Sequence, residues 1–177
     1  MLKLIIGVKG TGKTKTLISM VNEAVEKSEG TVVCIEKGVG LRFDVKYTAR
    51  LINTNDYLIF DAEALYGFVA GILASNHDVT DLFIDSALKI ANNDVAGFEA
   101  FLKDVDELAG KLGVNVVITS SIPAEEASLP DAILENDDVA FDAEETNEET
   151  SEELVEAEEE SEDFIEENAE EAEEVDT

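Results

Sequence analysis

Several residue types are scarce in this chain, and each shortage excludes a kind of structure. A single cysteine, Cys34, permits no internal disulfide, and its place in the apolar run 31–35 predicts a small buried hydrophobe. The single histidine, His77, has no second His or Cys beside it with which to bind a metal. No window of about eighteen residues is apolar throughout, and the chain starts without a basic-then-apolar leader, so we expect a cytoplasmic protein with no membrane-spanning helix.

Positive charge is missing from the end of the chain. The 177 residues carry a formal charge of −30, and no lysine or arginine follows Lys111. Residues 1–130 hold 18 acidic and 12 basic side chains, whereas residues 131–177 hold 24 acidic side chains and none that is basic. This division predicts a globular domain at 1–123, a linker at 124–135 and a disordered, acidic low-complexity tail at 136–177. Such a tail should repel nucleic acid and anionic membranes, and it could bind an unknown protein partner.

A glycine-rich run, Gly-Val-Lys-Gly-Thr-Gly-Lys-Thr at residues 7–14, fits the phosphate-binding pattern G-x-x-x-x-G-K-[ST] at every fixed position. It follows the apolar run 2–6 and opens a segment with helical spacing, which is the context of a phosphate loop. Its glycines allow positive φ values, so that successive N–H groups can face a phosphate at the start of the helix. We therefore predict a bound nucleoside triphosphate, ATP or GTP, with Lys13 at the β- and γ-phosphates and the Thr14 hydroxyl on Mg²⁺.

The predicted contacts with the nucleotide extend over the whole loop and include one later residue. They are Gly7, Val8, Lys9, Gly10, Thr11, Gly12, Lys13, Thr14, Lys15 and Ser120. Lys9 occupies a variable position of the pattern, where an exposed charge is the alternative to a phosphate contact. Thr119, Ser120 and Ser121 end the last predicted strand, and a hydroxyl there could sense the γ-phosphate or simply close the strand; Ser120 is the residue that we select.

Hydrophobic spacing beyond the loop predicts alternating helices and buried strands. Helical spacing runs from the loop to about Gly30 and recurs at 61–75 and 97–112, while apolar runs at 31–35, 80–86 and 114–120 predict strands, with a shorter strand at 49–53. Segment 41–47 is predicted to be a short strand or an extended loop, because apolar and polar residues alternate there. The whole pattern predicts an α/β fold, a three-layer sandwich with a mainly parallel sheet and helices on both faces.

Two acidic residues at predicted strand ends complete the predicted site, because ligands of such sheets lie beyond the carboxyl ends of the strands. Residues 82–85, Leu-Phe-Ile-Asp, have the Walker B form, so Asp85 is predicted to hold Mg²⁺ together with Thr14. Many ATP hydrolases place a glutamate after this aspartate, whereas this chain has Ser86 there. Glu36, at the end of another strand, is therefore the predicted base, and Lys13 is the other predicted catalytic residue. A Glu36 that only faces solvent is the alternative.

The order of these parts resembles the RecA-type branch of the P-loop NTPases. That branch has, in order, a phosphate loop, a helix, a strand ending in a catalytic glutamate (here Glu36), a short helix and strand, a helix, a Walker B strand (here ending at Asp85), a helix and a sensor strand (here ending at Ser120). The resemblance covers about residues 1–123 and implies a RecA-like nucleotide-binding domain. The chain departs from recombinases because it lacks the amide at the end of the sensor strand, long DNA-binding loops, a basic groove and an oligomerisation arm. It looks more like the small single-domain bacterial ATP-binding proteins.

Three functions agree with this sequence. The first is a slow Mg²⁺-dependent ATPase or nucleotide switch with a protein partner at the acidic tail. The second is a small-molecule or nucleoside kinase, although the Arg-rich lid of such enzymes has no counterpart here beyond Arg42 and Arg50. The third is a non-catalytic adaptor that binds nucleotide for stability. The sequence also allows a homo-oligomer in which Arg42 or Arg50 of one subunit contacts the nucleotide of another.

Overall fold

A computed structural model describes residues 1–121 of the protein, and the predicted linker and tail, 124–135 and 136–177, lie outside the described residues. The strands are β1 Leu2–Ile6, β2 Thr31–Glu36, β3 Arg50–Asn53, β4 Val79–Ile84 and β5 Asn115–Ser120. The helices are α1 Lys13–Lys27, α2 Ala62–Ser75, α3 Ala87–Ile90 and α4 Val95–Leu112, and a 3₁₀ helix spans Thr54–Tyr57. The α/β class predicted from the hydrophobic pattern is confirmed.

The five strands form one parallel sheet in the order β1-β5-β4-β2-β3. β5, the last strand of the described residues, lies between β1 and β4, so that Val116 is opposite both Leu2 and Leu82. Residues 116–120 of β5 are all buried, which explains why its sequence shows no alternation of polar and apolar residues. Because all five strands are parallel, their carboxyl ends lie along one edge of the sheet.

The connections between the strands divide into two groups. α1 leads from β1 past β5 and β4 to β2, and residues 37–49 continue in the same direction to β3. α2 leads back from β3 to β4, and α3 and α4 lead from β4 to β5. Because crossovers between parallel strands are right-handed, connections that run in opposite directions are expected on opposite faces.

The hydrophobic core follows this division into two groups. One cluster joins α1 and the 37–49 segment to the sheet and includes Leu17, Val21, Leu41, Cys34, Phe83 and Val117. The other joins α2, α3 and α4 to the sheet and includes Leu65, Ile90, Phe98, Ile35, Ile84 and Ile118. Neighbouring residues of one strand, such as Phe83 and Ile84, thus belong to different clusters, as the alternation of side chains along a strand requires.

Aspartate side chains mark the starts of two helices. Asp61 Oδ1 accepts a hydrogen bond from Ala64 N at 2.7 Å, and Asp94 Oδ1 accepts one from Gly97 N at 3.1 Å. Each bond satisfies an amide that the first turn of a helix leaves without a backbone partner. α4 therefore begins at Val95 rather than at Gly97, where the hydrophobic spacing alone places its start.

Residues 41–47 contain turns and a bend but no strand, so the strand alternative for this segment is wrong. The buried residues are four apart, at Leu41, Val45 and Ala49, and the aromatic side chains of Phe43 and Tyr47 between them are 92% and 96% exposed. Asn22 of α1 fixes these turns, since it donates to Asp44 O at 2.9 Å and accepts from Lys46 N at 2.8 Å. The apparent alternation in the sequence arises because exposed aromatic residues lie midway between buried aliphatic ones.

Cys34 lies fully buried in β2, as predicted, and burial raises the pKa of its thiol. A thiol in such surroundings is a packing residue rather than a nucleophile. Among the helices of residues 1–121, none has the length and apolar character needed to cross a membrane.

Candidate functional site at the carboxyl end of the sheet

The carboxyl ends of β1, β5, β4 and β2 bring the predicted site residues to one edge of the sheet. The glycine-rich loop, residues 7–12, follows β1 and leads directly into α1. Glu36 is the last residue of β2, Asp85 follows β4, and Ser120 is the last residue of β5. The topology alone therefore places residues that are far apart in the sequence beside one another.

The glycine-rich loop has a backbone that only glycine adopts without strain. Gly10 has φ 93° and Gly12 has φ 82°, and Gly12 is the N-cap of α1 in the left-handed conformation. No side chain caps the start of α1, and Gly12 O accepts the first helical bond from Thr16 N at 3.0 Å. The amide groups of the first turn are thus open to an external anion, which the positive end of the helix dipole favours.

Lys13, the first residue of α1, folds back over the loop. Its Nζ donates to Gly7 O and to Val8 O, both at 2.8 Å, and lies 3.4 Å from Thr11 Oγ1. Burial lowers the pKa of the Lys13 ammonium and the charge of Lys89 lowers it further, while Asp85 acts in the opposite direction. The ammonium therefore lies at the centre of the loop, held by two carbonyl groups.

Asp85 is the acceptor for three hydroxyl groups. Its Oδ1 accepts from Thr14 Oγ1 at 3.1 Å and from Thr119 Oγ1 at 2.9 Å, and its Oδ2 accepts from Ser86 Oγ at 2.9 Å. Thr119 Oγ1 in turn accepts from Ser86 N at 2.8 Å. The structure thus brings the predicted pair Thr14 and Asp85 into direct contact. A hydroxyl and a carboxylate are both oxygen donors of the kind that Mg²⁺ takes.

Ser86 has a backbone conformation that is unusual for its residue type. Its φ is 54°, in the left-handed region, and it is the residue immediately before α3. The bond from its amide to Thr119 fixes this conformation, and Ile90 N donates to Ser86 O within the first turn that follows. The end of β4 and the start of α3 are therefore set by the same threonine that contacts Asp85.

Glu36 is buried at the same edge, with a side chain only 4% exposed. Its Oε2 accepts from Leu41 N at 3.0 Å, so the carboxyl group holds the first turn of the 37–49 segment. Burial raises the pKa of Glu36, and Asp85 raises it further, although the backbone amides of Leu41 and Gly40 oppose the shift. The alternative that Glu36 faces solvent is thus wrong.

Ser120 lies beside the start of the loop but not in the Asp85 network. It is opposite Ile6 in the register of β1 and β5, it is fully buried, and its Oγ has no hydrogen-bond partner in the structure. Thr119 and Ser120 are successive residues of a strand and point to opposite faces of the sheet. The hydroxyl that reaches Asp85 therefore comes from Thr119, one of the strand-end hydroxyls that the sequence offers, and not from Ser120, which was selected as the contact.

The remaining predicted contacts lie on the outer side of the loop. Val8, Lys9 and Lys15 are exposed, and none of them has a hydrogen bond to the Asp85 network. Two further lysines at this edge, Lys37 and Lys89, were not selected from the sequence. Lys37 follows Glu36 directly, and its Nζ donates to Lys89 O of α3 at 2.8 Å.

Nothing in residues 1–121 groups three or more His, Cys, Asp or Glu side chains as a dedicated metal site would require. A cation at Asp85 would therefore need ligands besides protein carboxylates, such as the Thr14 hydroxyl, solvent or phosphate oxygens. No protein-family model and no curated protein matches this chain.

Proposed function

We propose that residues 1–123 form a P-loop nucleotide-binding domain of the RecA-like kind that binds ATP or GTP with Mg²⁺. The single observation that carries the proposal is the 3.1 Å hydrogen bond between Thr14 Oγ1 and Asp85 Oδ1. These residues are 71 positions apart, and they are the two that the sequence independently predicts as Mg²⁺ ligands. If the glycine-rich run were only a turn, nothing would require Thr14 to contact Asp85, the acidic residue of the Walker B pattern.

The order of elements supports the RecA-like assignment. The loop, α1, β2 with Glu36, β3, α2, β4 with Asp85, the helices α3 and α4, and β5 follow one another in the order that the resemblance implies. Its finer expectations, a three-layer sandwich and a cytoplasmic protein, belong to the same proposal. In the proposed complex, the loop amides and Lys13 bind phosphate oxygens, so the Lys13 ammonium gives up its bonds to Gly7 O and Val8 O.

Hydrolysis in this proposal is slow, because Ser86 stands where many ATP hydrolases have glutamate. Glu36 is the residue that we assign as base, since its pKa is raised and it lies at the same edge as Asp85. Mg²⁺, when bound, neutralises charge on the phosphates and orients them. Thr119 keeps Asp85 in position, and Lys13 withdraws charge from the phosphate group that is attacked.

A second candidate function is a nucleotide-stabilised adaptor without turnover. The specific observation in its favour is the bond from Leu41 N to Glu36 Oε2, which gives that carboxyl group a structural task. In both candidates the acidic tail is the proposed surface for a protein partner. The kinase alternative has no observation of its own in its favour.

Nucleotide binding and phosphate release in three variants separate the candidates. Lys13→Ala should abolish ATP binding, whereas Lys103→Ala, which removes an exposed lysine of α4, should not change it. Glu36→Gln should stop phosphate release while ATP binding persists. Tight binding with no release in the wild type selects the adaptor, and transfer of phosphate to a nucleoside or sugar selects the kinase. A wild-type protein that binds neither ATP nor GTP in the presence of Mg²⁺ overturns the proposal.

A further inference from the structure

The 37–49 segment presents the two most exposed aromatic side chains of the described residues. Phe43 is 92% exposed and Tyr47 is 96% exposed, whereas Tyr57 is 56% exposed and its ring packs against Phe68 at a centroid distance of 5.2 Å. The apolar faces of Phe43 and Tyr47 thus stay in water after folding, which is unfavourable. A partner that covers both rings removes this cost.

A four-residue pattern places basic residues beside the two rings. Residues 41–50 read Leu-Arg-Phe-Asp-Val-Lys-Tyr-Thr-Ala-Arg, so a buried aliphatic, an exposed basic and an exposed aromatic residue follow one another twice. A third buried residue and a third exposed basic residue end the pattern. We call the exposed members, Arg42, Phe43, Lys46, Tyr47 and Arg50, the aromatic-basic surface. It includes both arginines of the chain.

Hydrogen bonds fix the backbone that carries this surface. Phe43 lies in a turn across residues 41–44 that a backbone bond of 3.1 Å closes, and Tyr47 lies in a turn across residues 46–49 that one of 2.9 Å closes. Asn22 of α1 joins the two turns, since it bonds to the backbone of both at 2.9 Å and 2.8 Å. Because the turns are formed beforehand, a partner that binds the rings orders little additional backbone.

The charge of the aromatic-basic surface is opposite to that of the whole chain. Residues 41–50 contain three basic side chains and one acidic side chain, Asp44, whereas the chain carries a formal charge of −30. Glu26 of α1 pairs with Lys46, but both side chains are exposed and such pairs are weak. The surface therefore suits an anionic partner. A second copy of the chain, bound symmetrically, would bring like charges together.

The openness of the surface favours stacking over the binding of a peptide side chain. Protein partners are anchored by side chains that fill well-packed pockets. A ring as exposed as Phe43 or Tyr47 has no neighbouring side chains to form the walls of a pocket. A nucleobase needs only the face of an aromatic ring, and every base has such a face.

An anionic membrane fits the surface less well. Phe43 lies between Arg42 and Asp44, and Lys46 directly precedes Tyr47. Insertion of either ring would draw these charges towards the apolar layer, which is costly. A single strand of nucleic acid, by contrast, carries phosphates and bases in alternation, as the aromatic-basic surface carries cations and rings.

We propose that the aromatic-basic surface binds single-stranded nucleic acid, with bases stacked on Phe43 and Tyr47 and phosphates bound by Arg42, Lys46 and Arg50. None of these five residues belongs to the nucleotide site, so this binding is a function beyond the proposed one. In a duplex the bases are stacked on one another, and an open surface reaches only the phosphates.

The test is the fluorescence anisotropy of a labelled oligothymidylate of about 20 nucleotides, titrated with the full chain at about 0.1 M salt. Phe43→Leu and Tyr47→Leu retain an apolar side chain but remove the ring, so each should weaken binding about tenfold. Phe43→Tyr and Tyr47→Phe should retain it. Tyr57→Leu, at an exposed ring outside the surface, should leave it unchanged. Melting temperatures equal to that of the wild type exclude unfolding as the cause of a loss.

The cations and the nucleic acid are varied in the same assay. Arg42→Gln and Arg50→Gln should each weaken binding about threefold, because each removes a contact to a phosphate. Lys103→Gln, at an exposed lysine of α4, should have no effect. A duplex of the same length, and an oligomer that lacks bases, should both bind more weakly than oligothymidylate. Oligouridylate of the same length shows whether RNA or DNA is preferred.

Several outcomes would overturn the proposal. These are a wild type that does not bind oligothymidylate, and binding that Phe43→Leu and Tyr47→Leu leave unchanged. Binding to anionic vesicles without binding to the oligomer would make the surface a membrane contact, and a dimer that these variants disrupt would make it a contact between copies. Lys13→Ala should bind the oligomer as the wild type does, whether or not ATP binds. A loss in that variant would show that the phosphate loop holds the strand.

Discussion

At the amino end of the sheet, polar groups bond in local pairs, whereas at the carboxyl end several of them converge on one carboxylate. Ser28 bonds to Thr80, Asn76 donates to Thr31, and Asn115 donates to Asp81. Each of these bonds joins two segments of the chain through one pair of side chains. Asp85, by contrast, accepts from three hydroxyl groups: one on α1, one on β5 and one on Ser86, the residue that follows it.

The glycine residues in the turns at the two ends of the sheet also differ in their surroundings. Gly30, at the amino end, fits so closely that an added Cβ would overlap Asp78 O and the Thr80 side chain. Gly10 and Gly12, at the carboxyl end, have nothing within 4 Å of such a Cβ and have positive φ values instead. Glycine therefore provides close packing at one end and an open, accessible backbone at the other. In the proposed function, the open backbone at the carboxyl end is the part that meets the nucleotide.

The largest effect that we expect comes from the same substitution at the two ends of β4. Asp85→Asn should weaken Mg-nucleotide binding about 100-fold, or about 2.7 kcal/mol, because the charge that favours the cation is lost. Asp81→Asn, at the amino end, should leave the affinity unchanged. Titration of Mg²⁺ at a fixed ATP concentration measures both. If both variants lose the same affinity for Mg-nucleotide, the two ends of β4 do not differ in nucleotide binding.

Close packing at the amino end predicts an effect on stability without an effect on binding. Gly30→Ala should lower the free energy of unfolding by about 2 kcal/mol, because the added methyl group meets backbone that cannot yield. Gly71→Ala, in α2, meets nothing within 4 Å and should raise that free energy by about 0.5–1 kcal/mol. Urea denaturation measures the change in both. If Gly30→Ala has the same free energy of unfolding as the wild type, the close packing around Gly30 does not contribute to stability.

Thr119 and Ser120 offer a comparison within the carboxyl end itself. Thr119→Val should lower the free energy of unfolding by about 1–2 kcal/mol and weaken Mg-nucleotide binding, since Ser86 N and Asp85 both lose a partner. Ser120→Ala removes a buried hydroxyl without a partner and should be neutral or slightly stabilising. If Ser120→Ala instead weakens nucleotide binding, Ser120 is the sensor predicted from the sequence, and the assignment to Thr119 is wrong.

The smallest effect concerns pH. Because the pKa of Glu36 is raised above its ordinary value of 4.5, the folded state holds this proton more tightly than the unfolded state does. Relative to Glu36→Gln, the wild type should be favoured most below pH 4.5 and should lose this advantage as the pH rises through the raised pKa. Urea unfolding of both proteins between about pH 4 and 8 measures the difference. Glu63→Gln, at an exposed residue of α2, controls for the loss of one negative charge, and a difference that does not vary with pH contradicts this account.

The sequence predicts the long elements well and the short ones poorly, for a physical reason. α2 presents Leu65, Val69 and Ile72 at helical spacing over several turns, so its period is plain. α3 and the 3₁₀ helix have four residues each, about one turn, and one turn cannot display a period. The turns at 41–47 imitate the alternation of a strand because buried residues four apart enclose exposed aromatic ones.

The same limit applies to the site. The phosphate loop can be predicted without a structure, because its pattern consists of residues that are close in the sequence, such as Gly12, Lys13 and Thr14. The choice between Thr119 and Ser120 depends on which face of β5 each side chain occupies, and a strand buried on both faces shows no polarity from which to read it. Lys37 and Lys89 carry no motif, and their relation appears only when β2 and β4 lie side by side.

The position of β5 has a consequence for how the protein folds. β1 and β4 do not pair with each other, and only β5, whose Val116 pairs with Leu2, joins them into one sheet. A chain emerging from the ribosome must therefore hold β1 unpaired until about residue 120 has appeared, and contacts so distant along the sequence form slowly. Thr119 arrives on that same strand. A chain that ends before β5 can therefore pair β2 with β3 and β4, but it lacks both the strand that joins β1 to them and the threonine that contacts Asp85.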